Sequence, residues 1–321
     1  MDRFEARIAV VTGGGTGIGR ELVRQLAADG AHVAMCDVSE PNMAESKALA
    51  EKEAPAGTRV TTFVADVADE TQVLAFRDHV LAEHDTDHVH LVFNNAGIGG
   101  GGSFLEADRA DWDRTFGVCW TGVYNGCRAF VPLLVASDEG HLVNVSSVNG
   151  FWASIGPQTP HTAYSAAKFA VKGFTEALLT DFRLNAPHVG VSVVMPGHVG
   201  TSIVLNSAEI LGRRPDDLTA EDLAGMRTMI ERRGIDTAEI SDDQLRYFLQ
   251  QQGENFRDNA PTTAEQAARV ILDGVRAGRW RILVGDDAHV LDRLVRESPE
   301  DAYEESFMAR QLDAGGMGLE L

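Results

Sequence analysis

The chain is short of cations. Against 48 aspartates and glutamates it carries 28 lysines and arginines, a formal net charge of −20. A phosphate backbone or an anionic membrane surface repels such a chain, so neither a nucleic acid nor a membrane is expected as a partner. Cysteine is scarce too. Cys36, Cys119 and Cys127 make three, with no metal-ligand spacing, which speaks against a disulfide framework. No apolar run approaches the roughly 20 residues of a membrane span. MDRFEARIAVV has no signal-peptide layout, and a cytoplasmic protein with free thiols is expected. The one histidine-dense stretch, His84, His88 and His90, precedes a strand in a polar turn and reads as solvated loop, so no metal site is expected.

What is present is ordinary for a globular protein: 321 residues, 44% hydrophobic and 24% charged, enough for one large domain or a domain with an insertion. Ile8 to Thr12 is a short β-branched run that reads as a buried strand. TGGGTGIG follows at Thr12 to Gly19, then a helical period closed by Gly30, then a second strand at His32 to Asp37. Glycines in such a turn let the backbone approach a pyrophosphate, whose charge sits at the helix N-terminus. Asp37 lies 20 positions beyond Gly17, where a carboxylate accepts hydrogen bonds from ribose hydroxyls and repels a 2′-phosphate. This half of the chain is expected to bind a dinucleotide.

Strands at Val60 to Val64, Val89 to Phe93, His141 to Ser146, Val191 to Met195 and Trp280 to Val284 alternate with helices, including a long one at Trp112 to Val135. That alternation predicts a doubly wound parallel α/β sheet of about seven strands with helices on both faces. Asn94 and Asn95 end the fourth strand, where amides suit either a packed ligand or a turn. Residues 202–260 carry no strand signal and read as a helical insertion before the last strand, either a lid over the substrate or a peripheral module. Thr263 is placed to cap the helix that follows, above Glu265. The segment 301–321 is acidic and reads as a tail, with 1–300 as a single domain.

The chemistry is carried by Ser147, Tyr164 and Lys168. Tyr164 and Lys168 are i and i+4 on one helix and project from one face. A phenol loses its proton near about pH 10. A lysine cation ~4 Å away, at an effective dielectric of about 20, favours the phenolate by about 4 kcal/mol, or roughly 3 pKa units. That makes it a usable acid/base, and a serine hydroxyl aimed at the same point can hold an alcohol or carbonyl oxygen.

Taken in order, TGGGTGIG, Asp37, Asp66-Val67, NNAG at Asn94 to Gly97, Ser147, Tyr164-x-x-x-Lys168 and PGHVGT at Pro196 to Thr201 resemble the short-chain dehydrogenase/reductase family. The resemblance spans about residues 5–201, with a weaker likeness over 262–285. It implies a Rossmann-like fold and NAD(P)-dependent interconversion of a secondary alcohol and a ketone. Tyr164 would be the acid/base, Lys168 would lower its pKa and bind the nicotinamide ribose, and Ser147 would hold the reacting oxygen. Gly13, Gly17, Ile18 and Gly19 would hold the pyrophosphate, Asp66 and Val67 the adenine, and Asn94 the adenosine ribose, beside Ala96 and Gly97. Pro196, Gly197, Val199 and Thr201 would lie on the nicotinamide side. Asp37, with Thr16 before Gly17, resembles the NAD-preferring members. Where the family usually has a catalytic asparagine this chain has Cys119, which serves either through its backbone carbonyl at a helix kink or only as a small buried residue. The loop between Ser147 and Tyr164 is longer than in most members and carries Phe151, Trp152 and Pro157, an apolar wall or loop packing. The expected partners are an apolar alcohol or ketone and further copies of the chain in a homodimer or homotetramer. The alternatives are an NADPH-dependent 3-oxoacyl-thioester reductase and a non-catalytic NAD-binding regulator.

Overall fold

The computed structural model describes residues 3–156, 159–232 and 236–314. Its elements run β1 (Ile8–Thr12), α1 (Gly17–Ala28), β2 (His32–Asp37), α2 (Glu40–Glu53), β3 (Val60–Val64), α3 (Glu70–His84) and β4 (Leu91–Asn94). After a loop come α4 (Arg109–Phe116), α5 (Gly122–Val135), β5 (Gly140–Val145), α6 (Thr162–Asn185), β6 (Val189–Pro196) and β7 (Val199–Gly200). The rest is α7 (Ile203–Ile210), α8 (Ala220–Arg232), α9 (Asp242–Asp258), β8 (Thr262–Thr263), α10 (Ala264–Arg276), β9 (Arg281–Val284), α11 (Asp286–Glu297) and α12 (Glu305–Asp313).

Seven parallel strands form one sheet in the order β3-β2-β1-β4-β5-β6-β9. Strands such as IAVVT and GHLVNV are buried along their whole length, because helices cover both faces. On one face Leu22 and Leu26 of α1, Met43 of α2 and Ile271 of α10 pack on the sheet. On the other, Phe76 of α3, Phe130 of α5 and Val171 of α6 do. The strand order switches direction between β1 and β4, and a crevice opens there at the strands' C-terminal ends.

Three local features differ from the sequence expectation or add to it. The long helix expected over Trp112 to Val135 is two helices, α4 and α5, joined by a π-helical turn at Gly117–Thr121, where the Gly122 N–H reaches the Gly117 carbonyl. Glycines at both ends permit the wider turn, and Gly122 leaves no room for a side chain against Val67. α10 is capped by Thr263 with Glu265 in its first turn, as expected, and the structure adds a capping box closed by Gln266.

The third is the segment after Ser298, which is not a free tail as far as it is described. A 3₁₀ turn at Pro299–Asp301 and then α12 fold back so that Ala302 and Phe307 bury Trp152 with Leu291 and Leu294. Residues 315–321, and Pro157 of the long loop, lie outside the described residues. The insertion at 202–260 is helical as expected, with its own small core of Leu218, Leu223 and Leu245. Its two ends are pinned together by the short parallel pair β7 and β8. Among the described residues no helix is long and apolar enough to cross a membrane.

Candidate active site

A cleft with a cavity volume of about 870 Å³ follows the C-terminal ends of the central strands, from Asp37 past Gly97 and Ser147 to Pro196. At its floor the glycine turn is shaped by contact. Gly13 and Gly17 hold φ of +67° and +54°, a region L side chains rarely enter. A Cβ on Gly13 would meet the Ala96 backbone, and one on Gly19 would meet the Gly13 carbonyl. The turn is tied to β4 by Asn95, whose Nδ2 donates to the Thr12 carbonyl at 3.0 Å and the Gly13 carbonyl at 3.3 Å. The first turn of α1 has neither an acidic residue nor a side-chain cap from Thr16. Its N–H groups and the positive end of its dipole thus face the cleft, a donor set that fits a pyrophosphate.

Asp37 stands at the tip of β2, its two carboxylate oxygens accepting the Gly15 and Ser39 amides, each at 3.0 Å. The wall around it, Val38 to Asn42, contains Glu40 and no basic residue. Arg20 of α1 is spent on the Gly15 carbonyl, Ser46 and Glu45. Beyond Asp37 the cleft is bounded by Asp66 and Val67. Asp66 accepts the Ala68 amide at 3.0 Å and pairs with Arg114 of α4, which also lines the cleft.

At the other end Ser147, Tyr164 and Lys168 share one wall. α6 reaches this wall closely because Gly150 lies against it, with no space for a Cβ beside Ser146 and the Lys168 backbone. The Ser146 hydroxyl donates to the Lys168 carbonyl at 2.7 Å, fixing loop to helix. Lys168 is 3% exposed, donates to the Val145 carbonyl at 3.0 Å, and lies 5.4 Å from the Tyr164 ring centre. Ser147 accepts the Asn149 amide at 3.1 Å.

Electrostatically the site differs from the sequence expectation of a lowered phenol pKa. Burial pushes the Tyr164 phenol up, the Cys119 thiol adds to this, and the hydrogen bond with Ser147 opposes it. Burial likewise pushes the Lys168 ammonium down, against the pull of Cys119. Burial is the largest cause at both groups, and at Tyr164 it favours the neutral phenol.

Most of the expected cofactor residues line this cleft: Gly13, Gly17, Ile18, Gly19, Asp37, Asp66, Val67, Ala96, Gly97, Pro196, Gly197, Val199 and Thr201. Asn94 does not. It is 1% exposed and donates to Asn144 at 2.8 Å and to Cys127 at 3.3 Å, on the side where α5 packs against it. Strand alternation turns Asn94 into the core, and the cleft residue is Asn95. Cys119 is also set back from the cleft. It is fully buried and donates to the Ile98 carbonyl at 3.1 Å. Its place in the π-turn is the helix kink that a backbone role requires.

Other residues at the cleft had no local sequence signal. Asn206 of α7 donates to the Thr16 hydroxyl at 3.0 Å, bringing the insertion across the cleft onto the glycine turn. Leu291 of α11 and Gln311 of α12 line the substrate end. Trp152 joins them, its indole donating to the Ala302 carbonyl at 2.6 Å, while the Tyr303 hydroxyl accepts the Ala153 amide at 3.0 Å. His84, His88 and His90 each have a partner of their own: Thr61 at 2.9 Å, Asp87 at 2.8 Å and the Ile8 amide at 3.1 Å.

A sequence model of the short chain dehydrogenase family matches residues 7–210. The Mycobacterium tuberculosis protein SadH, named as an oxidoreductase, is 36% identical over 296 residues, which is 92% of this chain and 92% of that protein. Levodione reductase from Leifsonia aquatica is 33% identical over 222 residues, 68% of this chain and 79% of that enzyme. A short chain dehydrogenase/reductase from Burkholderia phymatum, solved in complex with NAD, superposes with a TM-score of 0.74 at 29% identity, covering 94% of this chain and 96% of that one. Likeness over nearly the full length, on a sheet whose crevice holds the expected glycine turn, places the protein in the short-chain dehydrogenase/reductase family of NAD(P)-binding oxidoreductases acting on CH–OH donors.

Proposed function

We propose that the protein interconverts a secondary alcohol and a ketone with NAD(H), and that Tyr164 exchanges the hydroxyl proton. The observation that carries the reading is that Ser147, Tyr164 and Lys168 share one wall of the cleft that the glycine turn opens. A nicotinamide dinucleotide, when bound, supplies the hydride donor or acceptor. The chain's own part begins with Ser147, whose hydroxyl holds the substrate oxygen beside the Tyr164 phenol. In the direction of ketone reduction the neutral phenol is already in its donating form. Lys168, held through the Val145 carbonyl, supplies positive charge as the phenolate develops. Gly97, Ile203 and Val204 of α7, Trp152 and Leu291 line the same cleft, and their apolar surface favours a drier site once substrate is bound.

Preference for NAD(H) over NADP(H) rests on Asp37 and Glu40, with no basic residue in the wall around them. The thioester-reductase reading is weaker, because Arg114 and Lys168 are the cationic side chains among the described residues of the cleft and both are engaged. A regulator without activity leaves the shared wall of Ser147, Tyr164 and Lys168 unexplained.

The test is a screen of alcohols and ketones followed by NADH absorbance, then Tyr164→Phe on the best substrate. Loss of the proton donor is expected to cut kcat by about 10²–10⁴-fold, with NADH affinity held within about threefold by fluorescence titration. Full turnover by Tyr164→Phe would rule out the assigned role.

A further inference from the structure

One cleft residue is used neither by the fold nor by the chemistry described so far. His161 immediately precedes α6, three positions before Tyr164, and its ring lies 4.7 Å from the Tyr164 ring, tilted by 39°. It stands in the N-cap position yet makes no side-chain cap. The neighbouring Thr162 has a structural task, its hydroxyl donating to the Gly101 and Gly102 carbonyls, whereas His161 has no side-chain hydrogen bond to any described residue. It faces the cleft at the substrate end. Burial pushes its imidazole down to about 4, so it is neutral at physiological pH, with one nitrogen donating and the other accepting.

Ser154 and Gln311 also line this chamber, and its other walls are largely apolar. Trp152, Ile155, Val204 and Leu291 line it, and the nearest cation, Lys168, is committed to the Val145 carbonyl. A purely hydrocarbon substrate seated here would leave both imidazole nitrogens dry and without partners, and an anionic one would find no free positive charge.

We infer that His161 is the hydrogen-bonding partner of a second oxygen on the substrate, which is an uncharged, largely apolar ketone or secondary alcohol bearing a further hydroxyl or carbonyl group. This rests on the alcohol–ketone reading above and narrows it. The reacting oxygen meets Ser147 and Tyr164 while the second oxygen meets the imidazole, so the two contacts fix which carbon faces the hydride position.

The experiment compares cyclohexanone with its 2-, 3- and 4-hydroxy derivatives as substrates. In the unmodified protein at least one hydroxyketone is expected to exceed cyclohexanone in kcat/KM by about tenfold, the worth of one well-placed hydrogen bond. His161→Phe keeps a ring against Tyr164 but has no polar edge, and it is expected to erase that preference. His161→Gln retains a donor and an acceptor and is expected to restore part of it. NADH titration reports that each variant is folded. A preference that survives His161→Phe, or none in the unmodified protein, overturns the inference. Absence of turnover on every member of the series, with NADH bound, overturns the alcohol–ketone reading itself and this inference with it.

Discussion

The proposed preference for NAD(H) puts the choice between two cofactors that differ by one phosphate on a single side chain, Asp37. Its carboxylate is held by the Gly15 and Ser39 amides, which oppose its swinging away from an incoming 2′-phosphate, and the wall from Val38 to Asn42 holds no cation to offset it. Asp37→Ser keeps a hydroxyl for the ribose and removes the charge. We expect the ratio of kcat/KM for NAD to that for NADP to fall by at least about tenfold, a change of about 1.4 kcal/mol or more. A ratio unmoved by Asp37→Ser would mean that discrimination lies elsewhere. Residues of this kind were legible in the sequence because their spacing is local: a glycine turn between two strands, or Tyr164 and Lys168 one helical turn apart. Asn94 and Asn95 mark where that legibility ended. They are adjacent amides at a strand end, and only the strand's exact register decides which one faces the cleft. Cys119 was legible as a position but not as an environment, since its thiol answers to the Ile98 carbonyl of a distant loop.

At the level of elements, the substrate chamber is assembled from parts far apart in the chain. Trp152 is the join, its indole bonded to the Ala302 carbonyl and its ring 5.7 Å from Phe307. Trp152→Ala removes a buried aromatic worth about 3–5 kcal/mol in comparable sites. The expected result is that α12 undocks, seen as new protease cleavage within residues 299–314. KM for the substrate should rise, while NADH affinity is preserved. Unchanged cleavage and KM would show that the helix is not held by this contact. The sheet itself was readable because each strand is a short apolar run with a helix after it. The docking of α12 was not, since an acidic segment reads as solvated and a pairing between positions 152 and 302 leaves no local pattern.

Burial favours the neutral form of several histidines, His141 among them, and each such group costs the fold stability in acid. His141 of β5 is 5% exposed and bonds the Ser192 hydroxyl at 2.7 Å across to β6. Burial pushes its imidazole down to about 4, against about 6.5 in an unfolded chain. The unfolded state therefore binds the proton more readily. Stability present above about pH 6.5 declines as pH falls toward about 4, for a total of about 3 kcal/mol from this residue. His141→Gln retains polar atoms that can meet Ser192 but does not titrate. Between pH 7 and pH 5 its urea-unfolding free energy should fall by about 2 kcal/mol less than that of the unmodified protein. Equal falls in the two proteins would remove His141 from the account.

The division of the cleft along the chain has a consequence for how such a protein changes over generations. Apart from Asn206 of α7, the residues that build the glycine turn and the wall from Asp37 to Val67 come before α5, whereas the far wall of the chamber comes from Trp152, Leu291 and Gln311. Substitutions accumulating in α12 reshape the chamber away from the glycine turn, whereas Asp287 of α11 accepts the His198 amide at 2.7 Å beside Gly197. A lineage built on this chain can therefore alter the chamber at α12 while the glycine turn and the wall of Ser147, Tyr164 and Lys168 stay as they are.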